Sequence, residues 1–210
     1  FAKNAYENGC RVFLCEKEVS LPSDAAVIAC ENTRAALAVC SANFFRHPSK
    51  EIAVVGITGT KGKTTVAHIV KYVLEAAGLK CGIIGTIGAK CGETVLPTVN
   101  TTPESYELQK LLRIMADNGC KAASIEVSSL GLKHHRVDNT EFAVGVFTNL
   151  SPDHIGTNEH ASFEEYAFWK KQLFHRCKKA FVNLDDAFSK EIIEESGCPV
   201  VTFGFDEKAD

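Results

Sequence analysis

The chain has 210 residues, 45% of them hydrophobic and 23% charged, which suits one large domain, or one domain plus part of another, with a core of useful size. A net charge of −3 without a run of lysines or arginines argues against nucleic acid or a membrane surface as partner. Nine cysteines with no Cys-x-x-Cys pair carry no zinc-ligand spacing and read as reduced thiols of a cytoplasmic protein.

No apolar stretch reaches the roughly 18–20 residues of a membrane span. The opening residues, Phe1 to Gly9, read as the end of a helix whose start lies elsewhere, so a fragment is expected. Residues 11–15 and 26–30 read as short buried strands. Residues 33–45 read as a helix with Ala36, Leu37, Val39, Cys40, Phe44 and Phe45 on its apolar face. His47-Pro48-Ser49-Lys50 breaks the pattern and marks a domain boundary, dividing 1–48 from 49–210. A buried strand at 52–57 precedes a Gly-rich loop and a helix over 63–77, ended by Gly78. Residues 81–85 form the next strand. Thr102-Pro103-Glu104 opens a helix, with Thr102 as N-cap, that ends near Asn118-Gly119. Strands follow at 121–127 and 142–148. Ser162-Phe163-Glu164-Glu165 is a capping box for a helix to about Cys177, and strands close the chain at 180–184 and 199–203. This alternation predicts an α/β fold: a mostly parallel sheet of P-loop type with helices on both faces, preceded by part of a small α/β domain.

Residues 56–65 read Gly-Ile-Thr-Gly-Thr-Lys-Gly-Lys-Thr-Thr. Glycines let successive backbone N–H groups turn toward one anion, and the helix starting at Lys63 adds its dipole and unpaired N–H groups. Lys63 is placed to reach terminal phosphates, and the Thr64 hydroxyl to bind Mg²⁺. The usual pattern has its first glycine at the position of Ile57; here the glycine is Gly56. Alone, the loop says only that a nucleoside triphosphate binds. An Asn-Lys-x-Asp segment, expected of a base-reading GTPase, is absent from the sequence.

The loop resembles that of the Mur ligase superfamily, whose first glycine lies where Gly56 does and which usually has Asn at Lys61. Four further segments fit in the same order. Asn100-Thr101-Thr102-Pro103-Glu104 is similar to the substrate-holding segment of the UDP-N-acetylmuramoyl-tripeptide synthetase branch; as a helix cap alone it would need no ligand. Glu126-Val127-Ser128-Ser129 ends a strand where open sheets present ligand-facing side chains. The resemblance implies Mg²⁺ binding by Glu126 and His154, and substrate contacts by Ser128, His134 and Arg136. It implies nucleotide contacts by Gly59, Thr60, Lys61, Gly62, Lys63, Thr64 and Thr65, and a carbamylated Lys170 as a further Mg²⁺ ligand, with Lys171 the alternative register. The family's Asp-His-Leu-Asp stands here as Asp-His-Ile-Gly, without a carboxylate at 156. Asn183-Leu184-Asp185-Asp186 reads equally as a nucleotide contact through Asn183 and as a helix cap.

The implied catalytic set is Lys63, Glu126, His154 and Lys170, with ATP and Mg²⁺. The implied activity is ATP-dependent addition of a third residue, L-lysine or meso-diaminopimelate, to UDP-MurNAc-L-Ala-D-Glu through an acyl phosphate, by a cytoplasmic monomer. Folylpolyglutamate and cyanophycin synthetases share the loop and form the alternative within the superfamily. The resemblance also implies a missing C-terminal domain and most of a missing N-terminal one, so the fragment alone is expected to bind nucleotide at best.

Overall fold

The computed structural model describes residues 1–210 except His154 and Asn158. The first part holds α1 (Ala2–Glu7), β1 (Val12–Cys15), β2 (Ala26–Ala29) and α2 (Thr33–Phe44). β1 and β2 pair in parallel as a separate two-stranded sheet. These strands were expected to be buried, yet every residue of β2 is exposed, with Ile28 at 51%. Their short apolar runs mark strand but not coverage.

Helix α2 corrects a second expectation. Leu37, Val39 and Phe44 are exposed, while Ala38, Ser41 and Ala42 are buried. The small face packs on the helix Ser105–Asp117, and Phe45 meets Tyr106 at 5.2 Å between ring centroids. Small residues let two helices approach closely, so helix spacing selected them over the larger side chains. Asn32 caps α2 by accepting from the N–H groups of Arg34 and Ala35. Arg46 and His47 then take left-handed backbone conformations, and a 3₁₀ turn over Pro48–Lys50 leads into the main sheet.

That sheet is built from β3 (Ala53–Thr58), β4 (Cys81–Gly85), β5 (Gly88–Cys91), β6 (Thr94–Leu96), β7 (Ala122–Glu126), β8 (Val144–Phe147), β9 (Ala180–Asn183) and β10 (Val200–Phe203). Its order is β10-β9-β8-β3-β7-β4-β5-β6. Neighbours from β10 to β4 are parallel; β5 and β6 add an antiparallel edge. Helix α3 (Lys63–Ala76) follows β3, α4 (Ser105–Asp117) precedes β7, and α5 (Ser129–Lys133) follows it. Helix α6 (Phe163–Lys171) runs into a 3₁₀ turn, Gln172–His175, and α7 (Ser189–Glu195) joins β9 to β10. Thr102 is not the N-cap of α4; Glu104 is, without a side-chain bond.

Two core clusters lie on opposite faces of this sheet, as the alternation of strand side chains requires. Ile57, Ala67, Ile83 and Val146 pack under α3. The larger cluster holds Val54, Ile84 and Ile125 against Leu108, Leu112 and Met115 of α4, and Phe142, Phe147 and Phe174 on the side of α6. Each such large side chain contributes about 2 kcal/mol when fully buried, against about 1 kcal/mol for a typical hydrogen bond. The core therefore sets the frame, and the loops at the carboxyl ends of β3, β7 and β8 are hung from it.

Candidate active site

The Gly-rich loop leaves the end of β3, the central strand between β7 and β8. Its displaced first glycine has a packing cause. A Cβ at Gly56 would lie 2.8 Å from the Phe142 ring, whereas Ile57 is fully buried in the core under α3. Gly59 passes so close to β8 that a Cβ would meet Thr148 Oγ1 at 1.9 Å. Gly62 takes the left-handed conformation, φ 81°, as N-cap of α3, and its outer side is open. The first turn of α3 thus presents N–H groups without intrahelical partners to that opening.

Lys63 Nζ donates to the carbonyls of Gly59 at 2.8 Å and Thr60 at 3.1 Å. Burial lowers its pKa; Lys61 pushes the same way, while Glu126 and Asp153 oppose. Thr64 Oγ1 donates to Glu126 Oε2 at 2.9 Å, which joins the loop to the end of β7. Glu126 is 1% exposed and also accepts from the Thr86 N–H at 3.0 Å and the Thr86 hydroxyl at 3.1 Å. Lys170, on α6, is 2% exposed; its Nζ donates to Gly59 O at 2.8 Å and sits 4.5 Å from the centroid of the Tyr166 ring. Burial, with Lys63 adding to it, holds the Lys170 amine well below the ordinary lysine range, against the pull of Asp153. Lys171, the alternative register, instead pairs with Glu191 and Glu195 of α7, away from the loop.

The other residues expected to contact nucleotide either have protein partners or lie open to solvent. Thr60 Oγ1 accepts from the Ser151 N–H and the Tyr166 hydroxyl, and the Thr60 N–H goes to Asn149 O. Lys61 extends to Asp153 at 2.9 Å, and Thr65 is exposed. Asn183 donates to Thr148 O at 2.8 Å and accepts from the Asp185 N–H. Asp186 accepts from Leu150 N and Phe188 N, so this segment braces the loop after β8. His154 lies outside the described residues.

The expected substrate side forms a second group next to Glu126. The buried Thr102 hydroxyl donates to Glu126 O at 2.9 Å and accepts from the Ser128 N–H at 2.9 Å. Those backbone partners explain why Thr102 is not free to cap α4. Ser128 Oγ caps α5 through Gly131 N, and Thr101 Oγ1 lies 3.1 Å from Thr86 Oγ1. Arg136 reaches Thr102 O at 3.3 Å and Glu104 at 2.9 Å, while Arg34 of α2 holds the other oxygen of Glu104 at 2.7 Å. His134, the C-cap of α5, has its pKa lowered by burial first, then by Arg34, Arg136 and Lys133. Asn100 lines a cavity of about 330 Å³ with Pro97, Pro103 and Glu107.

A family model described as the Mur ligase middle domain matches residues 57–210. The chain belongs to the Mur ligase family. Along its whole length this Mur ligase chain is 41% identical to the UDP-N-acetylmuramoyl-L-alanyl-D-glutamate–2,6-diaminopimelate ligase of Caldanaerobacter subterraneus subsp. tengcongensis, covering 43% of that relative. It is 39% identical to the ligase of the same name from Clostridium botulinum and covers 44% of it. A solved structure of a ligase of that name superposes on all of this chain, and on 43% of its own, with TM-score 0.87 at 28% identity. The chain therefore spans less than half the length of these relatives.

The residues present fit a magnesium nucleotide. Glu126 is a buried carboxylate held only by neutral donors among the described residues, an arrangement that a divalent cation would compensate. Thr64 supplies the second hard oxygen beside it. Among the described residues no group of three or more His, Cys, Asp and Glu side chains is placed to hold a metal ion. Two features of this Mur ligase site had no signal in the residue pattern: Thr86, brought to Glu126 by the pairing of β4 with β7, and Tyr166, whose helix position looks like ordinary core.

Proposed function

We propose that the chain is the nucleotide-binding part of a ligase that adds 2,6-diaminopimelate to UDP-MurNAc-L-Ala-D-Glu with ATP, in peptidoglycan precursor synthesis. The observation that carries the reading is the convergence of Lys63, Thr64, Glu126 and Lys170 on one loop, with Thr64 bonded to Glu126 at 2.9 Å and Lys170 to Gly59 at 2.8 Å. The names of the relatives favour diaminopimelate over lysine as the added residue.

In this reading Lys63 leaves its two loop carbonyls for the β- and γ-phosphates, and the N–H groups at the start of α3 complete the cradle. Thr64, Glu126, His154 and carbamylated Lys170 hold Mg²⁺, which when bound offsets the phosphate charge. The lowered pKa of Lys170 supports that modification: a neutral amine adds to carbon dioxide and loses a proton to solvent, leaving a carbamate anion able to hold Mg²⁺. The D-Glu γ-carboxylate attacks the γ-phosphorus, the bond to ADP breaks, and an acyl phosphate forms. The diaminopimelate amine then attacks the acyl carbon, and phosphate leaves with one carboxylate oxygen. Asn100, Thr101, Thr102, Ser128, His134 and Arg136 line the substrate side. Their contribution is orientation and charge complementarity.

Residues 1–48 are assigned to the end of an N-terminal substrate domain and 49–210 to the central domain. A cytoplasmic monomer fits the reading; no helix among the described residues is long and apolar enough to cross a membrane. The test is phosphate release by the full-length protein from ATP and UDP-MurNAc-L-Ala-D-Glu. Release that depends on 2,6-diaminopimelate supports the assignment; release with lysine alone would correct the added residue, and none with either would refute it.

A further inference from the structure

Several side chains from outside the Gly-rich loop bond to it, and one of them does so twice. Asn149, just past β8, lies alongside Lys61. Its Oδ1 accepts from the Lys61 N–H at 2.9 Å, and its Nδ2 donates to the Lys61 carbonyl at 3.0 Å. Its own carbonyl accepts from the Thr60 N–H at 2.9 Å. The side-chain amide thus pairs with a backbone peptide as a neighbouring strand would, at a point where the loop has no strand beside it. Thr148 adds a donor to the same Lys61 carbonyl at 3.0 Å, and the Tyr166 hydroxyl fixes Thr60 at 3.1 Å.

We propose that Asn149 is a positioning residue for nucleotide binding: its amide, by pairing with both backbone groups of Lys61, keeps the loop open in the phosphate-receiving shape before ligand arrives. The inference rests on the ATP-binding reading given above. A loop without this brace can collapse onto its own N–H and carbonyl groups, and nucleotide must then reopen it. Preorganisation of this kind acts on the bound ground state and transition state alike, so it appears in KM for ATP and not in kcat. Asn149 is bonded to the loop backbone and is not assigned a contact with phosphate or metal.

The experiment is steady-state phosphate release by the full-length protein and its Asn149→Ala variant, with ATP varied at saturating UDP-MurNAc-L-Ala-D-Glu and 2,6-diaminopimelate. Two lost hydrogen bonds correspond to a rise in KM for ATP on the order of tenfold or more, with kcat within about threefold. Asn149→Ser keeps a hydroxyl able to serve one of the two Lys61 groups, and an intermediate KM is expected. Its reading decides the matter if the alanine variant does not fold. A folded variant with the parent's KM for ATP overturns the proposal. So does a fall in kcat at constant KM, because that reports only a smaller folded fraction. If the parent itself releases no phosphate, the ligase reading fails and not the brace; the brace is then read from Mg-ADP affinity of parent and variants by calorimetry, where unchanged affinity overturns it.

Discussion

Gly85, the last residue of β4, sits against the carboxylate on which the site depends. An added Cβ there would lie 2.1 Å from Glu126 Oε1, 2.6 Å from Cδ and 2.9 Å from Cγ. Contacts that close force the whole Glu126 side chain to move, and the bonds to Thr64 at 2.9 Å, Thr86 N at 3.0 Å and Thr86 Oγ1 at 3.1 Å cannot all survive. Three hydrogen bonds to a charged acceptor, at about 1.5 kcal/mol each, put the loss for Gly85→Ala at about 4.5 kcal/mol if all three break. A carboxylate swung toward solvent recovers part of this, so a loss of about 2 kcal/mol is expected in urea unfolding. Activity should fall further than stability, since displacing a site group by about 1 Å costs on the order of a hundredfold in turnover. The variant is compared with the parent in unfolding and in phosphate release. A Gly85→Ala protein with the parent's unfolding midpoint and turnover would refute the placement of Glu126 at the centre of the site.

Lys63→Ala removes the ammonium that the loop carbonyls hold, and calorimetry should find Mg-ATP affinity lowered by at least about tenfold, the equivalent of about 1.4 kcal/mol; parent-like affinity would contradict its role. Glu165 offers a pH test. Its hydrogen bond with Lys133, then that from the Ala161 N–H, lowers its pKa from 4.5 to about 2. A depressed carboxyl contributes stability that is whole above the unfolded value and drains as pH falls toward the folded one. The difference in thermal midpoint between the parent and Glu165→Gln should therefore narrow as the pH is lowered from about 6 to about 3. A constant difference would show that the pairing with Lys133 carries no net stability.

The loop at 56–65 and its flanking strand and helix were legible because glycine spacing, an apolar run and a periodic helix coincide there. So were the strand ends carrying Glu126 and Thr148. What escaped has physical reasons. The β5–β6 hairpin is built from Gly88-Ala89-Lys90-Cys91 and Thr94-Val95-Leu96, too short and mixed to leave an alternating pattern. Helix α5 is five residues long and hidden in a segment read as a ligand loop. Helix α7 was missed because only Ser189 and Ile192 of it are buried. The face of α2 was misjudged because close packing on α4 favoured Ala38, Ser41 and Ala42 over larger neighbours. At the site, residue type pointed to Lys63, Thr64 and Lys170. It could not show that Thr60 and Asn183 spend their side chains on protein partners, because those bonds cross from one strand end to the next.

In the proposed reaction phosphate is passed from ATP to a substrate carboxylate. It can be followed by one atom. With UDP-MurNAc-L-Ala-D-Glu labelled with ¹⁸O in the γ-carboxylate, the full-length protein, ATP and 2,6-diaminopimelate, mass spectrometry of the released phosphate should find one ¹⁸O per molecule. Unlabelled phosphate accompanying tripeptide formation would contradict the acyl phosphate and the arrangement of the site proposed to make it.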